Sequence, residues 1–215
     1  MIVAPLLGLA LSLQATQPVS IRSDGNASTS RTVPAPTDTS ATALRADVPP
    51  VIDGRADDKV WTSAPAISAF KQWRPNEGKE ARFKTEAKIA YDASNLYVVV
   101  RAFDPHPDSI IKLLERRDSF TSSDMIWIFI DSYYDRRTGY EFGVNAAGVK
   151  MDATLYNDGN EDFAWDGVWD VATRIDSLGW VAEYRIPLSQ MRYSRDRKHT
   201  FGITLDRPRP VQSRD

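Results

Sequence analysis

From residue 51 onward, short apolar runs are broken by turn residues about every ten positions, and no long helical period intervenes. Such a chain closes into an antiparallel sandwich or barrel. Phe83 to Ala90 alternates apolar and polar, and Leu96 to Phe103 follows the turn Asp92-Ala-Ser-Asn95 as a strongly β-prone run. Met125 to Ile130 is continuously apolar, which suits a central strand covered on both faces. Tyr140 to Asn145 pairs with Val149 to Tyr156 through Ala146-Ala-Gly148 as a hairpin. Further strands are expected over Val168 to Asp176, Gly179 to Ile186 and Thr200 to Leu205. Only Ser109 to Arg116 and Ser189 to Tyr193 read as helical.

Composition narrows the chemistry. The 215 residues are 42% hydrophobic and 26% charged with a net charge of -2, so one ordinary core is expected and no basic field is available for nucleic acid. There is no cysteine, and the two histidines, His106 and His199, have no nucleophile elbow near them. Asp124 and Asp131 bracket one strand. At ~3.3 Å per residue they lie too far apart for the ~5 Å carboxylate pair of a retaining glycosidase, and they read as turn caps. No catalytic constellation emerges, and the chain reads as a binding protein rather than an enzyme.

The first residues have a different texture. Ile2 to Leu13 is almost wholly apolar, shorter than a ~20-residue membrane span and of the length of a signal-peptide core, although no Lys or Arg precedes it. Residues 1–15 are therefore expected to direct export, to the periplasm or outer membrane of a Gram-negative bacterium or to the medium. Residues 16–47 are rich in Ser, Thr, Ala and Pro and are expected to form a disordered linker. The folded domain is expected over 48–206, with a tail at 207–215.

Several motifs carry a family resemblance. Val51-Ile52-Asp53-Gly54 precedes Asp57-Asp58 and Trp61, Ile89-x-Tyr91-Asp92 precedes Asn95-Leu96-Tyr97-Val98, and Asp124 leads into Ile128-Phe129-Ile130-Asp131. With Gly179-Trp180-x-Ala182-Glu183-x-x-Ile186-Pro187, these resemble the family 9 carbohydrate-binding module in order and spacing. More narrowly, Arg116-Arg117-Asp118, Arg136-x-x-Gly139-Tyr140-x-Phe142-x-Val144-Asn145 and Trp165-Asp166-x-x-Trp169 resemble the version of that domain that opens certain bacterial outer-membrane proteins ahead of a β-barrel. The barrel of the longer proteins is expected to be absent from this chain, as in a truncated or frameshifted reading frame. The resemblance implies an all-β, antiparallel sandwich of jelly-roll type.

It also implies a sugar clamp whose parts are altered in this sequence. The first clamping tryptophan of the family falls at Thr121, beside Phe120; the acidic residue of the next strand falls at Trp127; the arginine after it falls at Gly143; and the second tryptophan belongs beyond residue 205. Simple sugars are accordingly expected to bind weakly, in the millimolar range. The resemblance leaves three occupations open: a carbohydrate-binding module, a structural or interaction domain that meets an envelope protein, and an accessory module of a glycoside hydrolase.

Candidate site residues follow from exposure and chemistry. Trp61, Tyr97, Phe129 and Trp180 are expected in the core. Trp73, Phe120, Trp165 and Trp169 lie at loop or strand edges, where a ring could stack on a pyranose, and Trp73, Phe120 and Trp165 are taken as the carbohydrate-binding set. The acidic run Asn157-Asp-Gly-Asn-Glu-Asp162 supplies Asp158, Asn160 and Asp162 as ligands for a structural calcium, or else forms a solvated hairpin tip. Asp53-Gly54 with Asp57-Asp58 reads as a metal loop or as a turn and helix start that delivers Trp61 to the core.

Overall fold

The computed structural model describes residues 13–16, 40–157, 159–194 and 199–208, with the backbone alone for 13–16. The strands are β1 (Leu13–Thr16), β2 (Ser40–Ala41), β3 (Leu44–Arg45), β4 (Thr85–Tyr91), β5 (Asn95–Phe103) and β6 (Met125–Asp131). They continue as β7 (Gly139–Asn145), β8 (Lys150–Tyr156), β9 (Asn160–Asp162), β10 (Asp170–Asp176), β11 (Gly179–Pro187) and β12 (Thr200–Asp206), with one short helix, α1 (Lys59–Ser63). They form two sheets, ordered β2-β1-β12-β6-β7-β8-β9 and β10-β11-β5-β4-β3. Pairing is antiparallel except for β1 with β2 and β3 with β4. The fold is an all-β sandwich.

Alternation explains the layers. Ile126, Ile128 and Ile130 of β6, Phe142 and Val144 of β7, Val98 and Val100 of β5, and Trp180, Tyr184 and Ile186 of β11 point between the sheets and form the main core. The opposite residues of the smaller sheet, Ala90, Tyr97, Val99 and Val181, form a second core under Val60 and Trp61 of α1. Trp61, Tyr97 and Trp180 are thus core residues, as the sequence indicates. The β7–β8 hairpin forms as expected: Asn145 Oδ1 accepts from the Ala147 and Val149 amides, and Gly148 takes a positive φ of 86°.

Three expectations are corrected. The helical reading of Ser109 to Arg116 fails beyond the short turn Pro107–Ser109, because the rest is held extended from the side: the Ile111 amide donates to Asp124, the Leu113 amide to Ser123, and Asn145 Nδ2 to the Leu113 carbonyl. This strap runs past the end of β6. Ser189 to Tyr193 likewise forms only a single turn, Leu188–Gln190. The linker boundary at residue 47 also falls too late, since β2 and β3 lie within it and Ala41, Ala43 and Ala46 are buried. These alanines fill narrow space at the sheet edges, which the Ser, Thr and Pro around them conceal in the sequence. Residues 1–12, 17–39 and 209–215, and with them most of the proposed export signal, linker and tail, lie outside the described residues.

Candidate functional site

The outer face of the larger sheet is built by the register of its antiparallel strands. Trp127 of β6 sits opposite Gly143 of β7 and Asp206 of β12, and Phe129 sits opposite Glu141 and Thr204. Across β7, Glu141 pairs with Ala153 and Gly143 with Met151, while Glu161 of β9 pairs with Leu155. Directly opposed residues share a face. Met125, Trp127, Phe129, Glu141, Met151, Glu161 and Asp206 therefore share the face opposite the main core, where Met125, Trp127 and Met151 are buried in a small cluster of their own with Phe129 packed against it.

Aromatic rings form a row along this face. Phe120 stacks on Trp127 with centroids 6.2 Å apart and planes 27° apart, and Trp127 stacks on Phe129 at 6.3 Å and 25°. Phe163 meets Phe120 edge-on at 5.2 Å. Phe120 is 65% exposed, whereas Trp127 is only 8% exposed. Gly143 makes the seat for the indole: a Cβ built there would lie 2.3 Å from Trp127 Cζ3, closer than any real contact. One ring thus takes the space of two positions, 127 and 143, at which the resemblance expects an acid and an arginine.

The charged groups that the described strands place on this face are acidic. Glu141 is 3% exposed, and its Oε2 has no hydrogen-bond partner among the described residues. Burial raises its pKa to about 8, with repulsion from Glu161 adding to the effect. Burial raises Glu161 as well. The described strands of this face contribute no Lys or Arg to it.

The rings singled out in the sequence separate. Phe120 belongs to the row. Trp165 lies on the other side of the sheet, packed against Tyr140 at 5.2 Å and Phe142 at 5.8 Å, and Trp169 is buried against Tyr184 and Phe142. Trp165 is therefore a partly buried flank of the core rather than a platform, because Gly167 lets the chain fold tightly over it. Trp73 is half-buried in a separate loop that Lys71 and Glu80 close, away from the ring contacts of the row. Phe129, expected in the core, is on the outer face. Asn160 and Asp162 are exposed on edge strand β9, where Asp162 Oδ1 accepts the Ala164 amide, and Asp158 lies outside the described residues.

Two other polar clusters are saturated from within. Glu183 Oε1 accepts Trp61 Nε1 at 2.6 Å, and its Oε2 accepts the Asp53 and Gly54 amides, so the Asp53-Gly54 motif is a turn fastened to the smaller sheet. Arg117 reaches the buried Asp152, Asp166 at 2.7 Å and the Gly167 carbonyl at 2.7 Å. Gly167 N donates to Asp152 Oδ2 at 2.6 Å. The Arg116-Arg117-Asp118 and Trp165-to-Trp169 motifs are therefore two halves of one lock. Asp124 and Asp131 are turn caps, since each accepts backbone amides.

The family model described as "Carbohydrate family 9 binding domain-like" matches residues 52–207, most of the chain. The chain belongs to that family. Among solved structures, this family 9 domain is similar to a family 9 carbohydrate-binding module from Caldicellulosiruptor kristjanssonii solved with cellotriose, at a TM-score of 0.50 and 19% identity over 75% of this chain and 82% of that one. It is also similar to a candidate carbohydrate-binding protein from Bacteroides uniformis, at a TM-score of 0.55 and 11% identity over 80% and 91% of the two chains. At these identities the likeness speaks for the fold. No curated protein matches in sequence.

The sequence reading missed Trp127, Glu141 and Phe163 as parts of this face. One signal was present: β6 carries three isoleucines on its even positions and Met125, Trp127 and Phe129 on its odd ones. Two unlike apolar faces on one strand point to two unlike environments.

Proposed function

We propose that this family 9 domain is an exported, non-catalytic carbohydrate-binding module that takes a glycan chain on the outer face of its larger sheet. The observation that carries the reading is the ring row Phe120–Trp127–Phe129, lodged over Gly143 and open to solvent at Phe120. The C–H face of a pyranose packs on such rings, and nearby carboxyl groups accept from its hydroxyls. A platform touches a sugar from one side only. Stacking contributes ~0.5–1.5 kcal/mol beyond burial, too little to offset the immobilisation of a small ligand, so simple sugars bind in the millimolar range.

Titration with cellotriose, read by tryptophan fluorescence, tests the reading. A saturable change that disappears in Phe120→Ala supports it, with Trp127→Phe identifying the reporting ring. A flat titration in a folded protein refutes it and favours the interaction-domain alternative, for which exposed Leu114 on the strap would be a contact. No release of reducing ends is expected on incubation with oligosaccharide. Export is tested by the mass of the chain recovered from the periplasm, and a chain still beginning at Met1 would overturn cleavage near residue 15.

A further inference from the structure

The charge of the outer face goes further than its rings. Four carboxyl groups share it: Glu141 opposite Phe129, Asp206 opposite Trp127, Glu161 next to them across β8, and Asp131 at the end of β6, which the Asp135 and Arg136 amides already engage. Glu161 is half-buried and Asp206 is exposed, so both are within reach of a ligand lying along the ring row. Glu141 lies beneath, with one carboxylate oxygen that no described donor meets. A buried acceptor without a donor is a standing cost, and an incoming N–H relieves it. No described strand of the face offers a cation that could pair with these acids. Rings beside carboxylates also suit a cation directly, since a ring face attracts positive charge.

We propose that this face selects a β-1,4-linked pyranose chain bearing protonated amines, a glucosamine oligomer, over the equivalent neutral chain, with Glu141, Glu161 and Asp206 receiving the ammonium groups. The inference rests on the platform reading above. An ammonium supplies three donors and a full charge where the hydroxyl it replaces supplies one donor and none. No covalent bond is made or broken apart from the Glu141 proton, which leaves to solvent; the ammonium becomes the counter-ion that the described strands of the face do not provide.

The test is calorimetric titration of the full 215-residue chain with cellotriose and with the β-1,4-linked glucosamine trimer, which differ at carbon 2 of each ring. The measurement is made at about pH 6, where the sugar amines carry charge; Glu141, protonated there in the free protein, gives up its proton to solvent as an ammonium reaches it. The trimer is expected to bind at least about tenfold more tightly, with an advantage that shrinks as salt is added. In Glu141→Gln and in Glu161→Gln the ratio of the two constants should move toward unity; should the buried variant fail to fold, Glu161→Gln and Asp206→Asn carry the test. Equal binding of the two sugars overturns this inference and leaves the platform intact. Binding of neither overturns both, and a preference that survives the triple variant overturns the assignment to these carboxylates.

Discussion

Replacing Glu141 with glutamine should stabilise the protein above neutral pH and do little in acid. In the folded chain, burial and then repulsion from Glu161 hold the carboxyl at about 8, against an ordinary 4.5. Asp131, Asp206 and Glu161 are the other charged groups that the described strands place on this face, and all are acids. Because the folded-state value is raised, the contribution of Glu141 is fully present below about pH 4.5 and is lost as pH rises through 8. Each pH unit between the two values is worth roughly 1.4 kcal/mol, which makes about 5 kcal/mol when the loss is fully developed. Solvent reaching the ionised group brings that to about 3–5 kcal/mol, a large share of a typical domain's stability. Urea unfolding of wild type and Glu141→Gln from about pH 4.5 to 9 gives the comparison directly. Wild type should weaken across the window while the variant, which cannot ionise at this position, loses less, so that the two separate progressively. Two stability curves that stay parallel throughout would show that Glu141 ionises without penalty, and the orphaned oxygen would then be solvated or paired.

Trp180, fully buried against β5, should cost about 3–5 kcal/mol when truncated to alanine, read as a shift of the denaturation midpoint; unchanged melting would place its ring on the surface. Arg117→Ala leaves the buried Asp152 without its counter-ion and should destabilise by about 3–5 kcal/mol, whereas Arg117→Ala with Asp152→Asn should recover part of the loss. A chain beginning at residue 40 should melt higher than one beginning at residue 47, because only the first retains buried Ala41, Ala43 and Ala46. Equal melting temperatures would return residues 40–46 to the linker.

The difference between what the sequence disclosed and what it withheld follows from the range of each interaction. Strand positions, the β7–β8 hairpin and the buried Trp61, Tyr97 and Trp180 were legible, because alternation and turn chemistry are written within a few neighbouring residues. The strap at 110–116 was not. Its apolar spacing favours a helix, but the competing partners, Asp124, Ser123 and Asn145, reach it from distant positions and claim its backbone. Residues 40–46 were passed over for a related reason: an alanine is too small to mark a strand as apolar, yet it can fill a narrow edge completely.

The outer face was the hardest part to read, since it exists only in the pairing of the strands. Position by position, Trp127 and Gly143 stand for a lost acid and a lost arginine, and the site looks dismantled. In the sheet the two face one another, and the missing side chain of one is the seat of the other's ring. The same pairing sets Glu141 beside Phe129. A slip of one residue between β6 and β7 would turn Glu141 into the core and Phe142 out to solvent, a cost no sandwich of this size could absorb. The packing of Phe142 against Trp165 and Trp169 on the inner side therefore fixes, through the two-residue period of the strand, which carboxylate the outer side presents. The character of the binding face is in this sense set by the core behind it. Substitutions at Phe142 should alter ligand preference without touching a ligand, read as a change in the ratio of the cellotriose and glucosamine-trimer constants; a ratio that holds while stability falls would separate the core from the face.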